Sequence, residues 1–246
     1  MSFIQIHVDS KIYPSIERTG QHMAIANFEL TLKSGEFVCL VGPSGCGKTT
    51  LLNIIAGLDK DYKGEISVEH RQGRPKIGYV FQNPRLLPWR TVRENIELVL
   101  AENQAQDTID ILLETMQLTQ VQHSYPERLS LGMSRRVAII RAFVVNPDIL
   151  LMDEPFVSLD APTARQVREL LVKLWQQRPH TVLFVTHDLR EAIALADRIV
   201  FLSAAPMQVL SEITVPISRV ERLNENAIEV FRQLLINDYP AINQLL

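Results

Sequence analysis

Residues Gly42-Pro43-Ser44-Gly45-Cys46-Gly47-Lys48-Thr49 narrow what this chain can fold into more than any other stretch. They follow the apolar run Phe37–Val41 and lead into a helix-like stretch at residues 50–56, so the pattern reads strand, glycine-framed loop, helix. Glycines at both ends let the backbone curl with its N–H groups turned inward. Lys48 can then reach the outer phosphates of a nucleotide, and the Thr49 hydroxyl can ligate Mg²⁺. The positive end of the following helix faces the anion. An ordinary glycine-rich turn is the competing explanation, but a chance match has no reason to sit between a strand and a helix.

At 246 residues and 46% hydrophobic the chain can bury a substantial core. A net charge of −3 gives no overall basic footprint, so nucleic acid is not the expected partner. Cys39 and Cys46 have neither pairing nor metal-ligand spacing, which suits a reducing compartment and not a disulfide framework. The start, Met1-Ser2-Phe3-Ile4-Gln5-Ile6-His7, lacks a secretory pattern, and no apolar run approaches the roughly 18 residues of a membrane span. Work at a membrane is therefore expected to depend on another subunit.

Alternation at residues 3–8 and 26–32 predicts short strands around a polar loop at 15–21, with Tyr13 between them. Residues 65–68 and 77–81 read as further strands joined by a charged turn at 70–76. From Gln82 the character changes. Residues 84–89 form a proline-bounded loop ending in Trp89, and the next sixty or so residues read as mainly helical. Thr91 and Glu94 have capping-box spacing, Ile109, Leu112, Leu113 and Met116 make a helical stripe, and a third helix is expected from near Ser130 to Asn146-Pro147. The apolar runs 148–153 and 181–186 suit parallel strands covered on both faces, with a helical pattern at Val167, Leu170, Leu171 and Leu174 between them. Strands at 198–202 and 209–215 and a helix striped by Ile228, Phe231, Leu234 and Leu235 complete the chain.

Asp153 and Glu154 close one of the apolar strands, at the carboxyl end where open α/β sheets bind ligands. Asp153 is placed to hold Mg²⁺ through water, and Glu154 to orient or deprotonate the water that attacks a γ-phosphate. His187 follows the other strand and can sense the γ-phosphate or that water, while Gln82 ends the strand 77–81, where its side-chain carbonyl can join Mg²⁺ or the water. A solvated acidic turn and a structural histidine are the plainer alternatives.

In this order the residues resemble the ATP-binding subunits of ABC transporters over nearly the whole chain: phosphate loop 42–49, glutamine loop at Gln82, strand acids Asp153 and Glu154, a D-loop at Ser158-Leu159-Asp160, and switch histidine His187. The resemblance implies an α/β P-loop (RecA-like) core with a small antiparallel β subdomain and an inserted helical subdomain, divided as 1–81, 82–147, 148–215 and a tail at 216–246. It implies that Tyr13 stacks on adenine, and that Thr50 and Asp160 join the loop residues at the nucleotide. The family's signature segment reads Leu129-Ser130-Leu131-Gly132-Met133 here. By resemblance, Ser130 and Gly132 bind the γ-phosphate of ATP held by a second copy. Leu131 and Met133 depart from glycine and glutamine, and a Cβ at Leu131 disfavours any φ > 0 conformation.

The same resemblance implies ATP with Mg²⁺, a head-to-tail dimer that ATP closes and hydrolysis opens, and a peripheral place on the cytoplasmic face of the cell membrane with permease subunits and a separate substrate-binding protein. Residues 81–89 with Thr91-Val92-Arg93-Glu94-Asn95 look most like the nitrate, sulfonate and taurine importer branch. Other readings stay open at this level: a soluble ATPase of the same superfamily, a P-loop kinase, or a cassette that binds ATP with little turnover.

Overall fold

The computed structural model describes residues 3–14, 22–69, 73, 75–100 and 106–239. The polar loop expected at 15–21 lies outside the described residues, as do 70–72 and 74 of the expected charged turn. The strands are β1 (Phe3–Tyr13), β2 (His22–Lys33), β3 (Phe37–Val41), β4 (Lys63–Val68), β5 (Ile77–Val80), β6 (Ile149–Asp153), β7 (Thr181–Thr186), β8 (Arg198–Leu202) and β9 (Val209–Thr214). The α-helices are α1 (Lys48–Ile55), α2 (Val92–Glu97), α3 (Gln106–Thr115), α4 (Leu131–Phe143), α5 (Ala161–Gln177), α6 (Leu189–Leu195) and α7 (Glu225–Asp238). The chain forms two compact units, residues 1–75 with 181–246, and residues 76–180.

In the first unit an antiparallel sheet runs β2-β1-β4. Ile4, Ile6 and Val8 are buried opposite Leu32, Leu30 and Phe28, the period-two pattern of a sheet with one covered face. Both long strands exceed the short ones expected, and Tyr13 is the last residue of β1. The register shifts between Lys11 and Ile12 against β2 and between Val8 and Ser10 against β4, and such bulges interrupt the alternation by which a strand is recognised. Beside this sheet lie β3 and β7, buried at every residue and parallel, with Val38 opposite Leu183 and Val41 opposite Thr186. β8 pairs with the other side of β3, and β9 adds antiparallel to β8. Arg198 ties the start of β8 to Glu36 at 2.9 Å.

Within the tail, α7 packs against the rest of its unit. α7 contacts α6, and Arg190 meets Glu229 at 2.7 Å. Ile228 and Leu235 are buried, whereas Leu234 of the expected stripe is exposed. Just before α7, buried Arg222 donates to the carbonyls of Ile217 (2.8 Å) and Ala196 (2.6 Å). Burial, aided by Arg219, pushes its guanidinium down to about 10.

In the second unit β5 and β6 are parallel, with Val80 opposite Met152. α2 opens with the expected capping box: the Thr91 hydroxyl accepts from the Glu94 N–H at 3.3 Å, and the Glu94 carboxylate accepts from the Thr91 N–H at 2.7 Å. The α3 stripe of Ile109, Leu112, Leu113 and Met116 is wholly buried, each side chain contributing about 1.5–3 kcal/mol relative to exposure. α4 packs on α2, β5 and α5. It stops at Phe143, short of the expected Asn146, because Asn146 takes a left-handed conformation (φ 48°) before Pro147 and turns the chain into β6.

Candidate active site

The first unit builds the phosphate loop. Gly45 and Gly47 have φ of 78° and 113°, the region that glycine enters without strain, and Gly47 is the N-cap of α1. No side chain caps that helix, whose positive N-terminal end opens directly onto the glycine loop. α1 begins at Lys48, two residues before the expected start. Buried Lys48 donates from Nζ to the carbonyls of Gly42 (2.7 Å) and Pro43 (2.9 Å), which holds the cation back over the loop it closes. Ser44, Gly45 and Thr49 are exposed along the same loop, and Cys46 is buried. Burial pushes the Cys46 thiol up, with Lys48 opposing, so it stays a protonated packing group.

Tyr13 and Thr50 meet directly, hydroxyl to hydroxyl at 3.0 Å, which sets the tyrosine ring beside the start of α1. Lys11 lies with Nζ 4.7 Å from the centre of that ring. This lysine is itself buried and held by Asp59 at 3.0 Å and by the Asp61 carbonyl at 2.6 Å. His187 also belongs to this unit. Because Val41 and Thr186 are register partners in parallel strands, Gly42 and His187 leave the sheet at adjoining carboxyl ends. The Thr186 hydroxyl donates to Glu191 at 2.6 Å and accepts from the Asp188 N–H at 3.0 Å, pinning the turn on which exposed His187 sits.

The second unit brings Gln82 and the two strand acids together. Val80 pairs with Met152, so both chains emerge at one edge, and the Gln82 amide donates to the Glu154 carboxylate at 3.3 Å. Asp153 is buried at the end of β6, and its charge, after burial itself, helps push the nearby Tyr79 phenol up. Glu154 adopts φ 44°, a left-handed conformation that costs a non-glycine residue on the order of 1–3 kcal/mol and is concentrated at functional sites. Asp160 has a local task as the N-cap of α5, accepting from the Thr163 N–H at 3.1 Å.

Among the described residues no group of three or more His, Cys, Asp or Glu could hold a metal ion. The expected donors are instead a hydroxyl (Thr49), an amide (Gln82) and one carboxylate (Asp153). That set fits Mg²⁺ that arrives with nucleotide phosphates, since Mg²⁺ is commonly held by one or two carboxylates plus the substrate.

The signature segment opens α4. Ser130 is its N-cap, with Oγ accepting from the Met133 N–H at 3.2 Å. Gly132 is buried against α5, where a Cβ would lie 2.5 Å from Thr163 Cγ2. Leu131 is the first helical residue and has no positive φ, so the strain expected of a side chain there does not arise; the leucine is 42% exposed.

Two residues without an assigned role in the sequence prove central. Buried Asn95 accepts from the Leu87 N–H at 2.8 Å and donates to the carbonyls of Leu87, Arg90 and Thr91, clamping the end of the loop 84–89 onto α2. Buried Arg135 donates to the carbonyls of Phe81, Gln82 and Val157. The signal for each was a polar residue on the apolar face of a helix.

A glycine loop between a parallel strand and a helix, with carboxylates ending a second parallel strand, defines a P-loop nucleoside triphosphatase on an α/β fold. Residues 25–157 match the ABC transporter family. The chain is 41% identical over 228 residues to an aliphatic sulfonates import ATP-binding protein, SsuB, of Bacillus cereus, covering 91% of each. It is 38% identical over 221 residues to the nitrate import ATP-binding protein NrtD of Synechococcus elongatus, covering 86% of this chain and 80% of that protein. Among solved structures, the ATP-binding cassette MJ0796, in a dimeric post-hydrolysis state bound to ADP and Pi, aligns with a TM-score of 0.74 at 32% identity, covering 87% of this chain and all of that one. The chain belongs to the ABC transporter family, as an ATP-binding and ATP-hydrolysing cassette.

Proposed function

We propose that this cassette powers import of small oxyanions of the sulfonate or nitrate class through membrane-spanning permease subunits, supplied by a separate substrate-binding protein. The relatives' names support the cargo class. Its place is peripheral, on the cytoplasmic face of the membrane; among the described residues no helix is long and apolar enough to cross one. The functional division follows 1–81, 82–147, 148–215 and 216–246.

Two copies pair head to tail, and each ATP lies between the phosphate loop of one and Ser130 and Gly132 of the other. Tyr13 stacks on adenine beside Thr50. The backbone of residues 42–47 cradles the phosphates, and Lys48 exchanges its carbonyl partners for phosphate oxygens. Thr49, Asp153 and Gln82 would hold Mg²⁺, which would neutralise phosphate charge when bound. Glu154 takes a proton from the attacking water, Gln82 holds that carboxylate in line, and His187 contacts the γ-phosphate. Asp160 contributes at the same dimer interface.

Motion leaves through the second unit. A cavity of about 490 Å³ is lined by Tyr79, Phe81, Arg85, Leu98, Val99 and Arg141. Leu98 and Val99 are exposed at 48% and 42%, and Trp89 nearby in sequence at 68%. This surface suits an apolar segment of the permease.

The observation that carries the reading is the phosphate loop itself, with glycines in the left-handed region leading into α1 and Lys48 closed over it. The test is light scattering of Glu154→Gln protein with and without ATP and Mg²⁺. The expected result is a monomer that becomes a dimer only with nucleotide. A protein that binds ATP and remains monomeric even with its permease refutes the composite site.

A further inference from the structure

Helix α4 carries at its N-terminus the residues assigned to the ATP of the second copy, and further along it buries Arg135. The guanidinium spans two separate chain segments. From Nη1 it donates to the carbonyls of Phe81 (3.3 Å) and Gln82, just beyond the end of β5, and from Nη2 to the carbonyl of Val157 (3.3 Å), just beyond β6. Val157 in turn donates its N–H to the Glu154 carbonyl at 3.2 Å, closing the turn in which Glu154 holds its left-handed backbone. The two segments joined by this fork are the ones whose side chains meet in the Gln82–Glu154 contact.

The neighbouring arginine makes a useful contrast. Arg136 also donates to a backbone carbonyl, but its partner is Met116 at the end of α3, away from both catalytic segments. Arg141, later in the same helix, holds the carbonyls of Pro84 (2.7 Å) and Arg85 (3.1 Å) and has no bond to the turn after β6. Arg135 alone of these three reaches both segments. A planar fork of five donors holds two segments at a fixed spacing, whereas an ammonium on a flexible stem can reach several carbonyls without fixing the geometry between them. Arg135 is 3% exposed, and its Nε finds no partner, so the residue accepts a desolvation cost for these carbonyl contacts.

We propose that Arg135 is a positioning residue for ATP hydrolysis, which fixes the spacing between Gln82 and Glu154 and ties that spacing to the signature helix. Engagement of Ser130 by the second copy's nucleotide would thereby be felt at the water-activating carboxylate of the same chain. The inference rests on the catalytic role proposed for Glu154. It requires no contact between Arg135 and nucleotide, so the affinity for ATP should be indifferent to the substitution while turnover is not.

The experiment compares Arg135→Lys, Arg135→Gln, Arg136→Met and Glu154→Gln in the assembled transporter, reading kcat and KM for ATP, nucleotide affinity by fluorescent-ATP titration, and thermal stability. Arg135→Lys and Arg135→Gln are expected to lower kcat at least tenfold with KM and affinity within twofold of the parent, lysine retaining more turnover than glutamine. Arg136→Met, which removes an equally helical guanidinium, is expected to lower stability with kcat within twofold. Turnover within twofold in both Arg135 variants overturns the proposal, as does a common loss of kcat, affinity and stability shared with Arg136→Met. Should either Arg135 variant fail to fold, the other supplies the comparison. If Glu154→Gln itself turns over normally, the catalytic assignment fails and the proposal falls with it. A dead Glu154→Gln beside near-normal Arg135 variants removes Arg135 alone.

Discussion

Asn95 shows how one side chain can decide the shape of a loop that has no regular structure. It is fully buried, and its amide matches one N–H and three carbonyls. Replacing it by alanine strands buried polar groups, and an unsatisfied buried group costs far more than a normal hydrogen bond contributes. Asn95→Ala should therefore lose about 2–4 kcal/mol in urea unfolding, and a loss under about 1 kcal/mol would mean that water replaces the amide. His180 carries the opposite kind of risk, a titratable ring in a dry place. It packs edge-on to Phe143 with ring centres 5.5 Å apart, and its Nε2 is buried without a partner. Burial, with Arg178 adding repulsion, pushes its pKa below the ordinary 6.5, although the Pro147 carbonyl pulls the other way. The unfolded chain thus takes up this proton first as pH falls. Stability owed to neutral His180 is present above about pH 6.5 and is lost on acidification towards the depressed folded value. His7 has the reverse sign, being raised by Asp9 and Glu29, but lies exposed on β1. Melting temperature against pH for the parent and His180→Gln isolates the difference, and parallel curves below about pH 6.5 would exclude His180.

At the scale of elements, the first turn of α4 packs on α5 and, in the dimer proposed above, would also face a nucleotide. Gly132 sits at that junction, with Thr163 Cγ2 where a Cβ would go. Gly132→Ala gains roughly 0.8–1 kcal/mol in helix propensity but must displace that methyl, at about 1–3 kcal/mol. Adding Thr163→Ser removes the obstructing methyl. The double variant is expected to regain the parent's stability while its ATP-driven dimer stays weak; recovery of both would make Gly132 a packing residue only. The elements themselves were readable wherever burial is periodic or complete. The Phe37–Val41 and 181–186 runs, the Thr91 capping box and the α3 stripe each follow from residue type and spacing alone, and they yield the α/β P-loop core. What escaped was set by partners distant in sequence. The bulge after Lys11 hid the length of β1, Arg135 has meaning only through carbonyls more than fifty residues before and twenty after it, and Leu131 looked strained only while its helical backbone was unknown.

For the whole molecule, the two-fold pairing proposed above doubles every interfacial change, because each residue of a self-complementary dimer counts once per copy. The Ser130 hydroxyl gives the sharpest case. In the isolated chain it caps α4 by accepting from Met133, and in the dimer it would also donate to the γ-phosphate of the second copy, since a hydroxyl can do both. Loss of the cap affects monomer and dimer alike and cancels from the association constant. The phosphate contact does not cancel. A hydrogen bond to a charged group is worth roughly 1.5–3 kcal/mol, so Ser130→Ala in the Glu154→Gln background should weaken ATP-dependent dimerisation by about 3 kcal/mol or more over two sites, roughly a hundredfold. Exposed Leu131, one residue on, bears on the same association without that charge, so Leu131→Gly should shift it by less. Light scattering across a concentration series measures both constants. A Ser130→Ala dimer as tight as its parent would show that the hydroxyl serves only its own helix, and that closure of the two copies draws its energy from the phosphate loop side of each site.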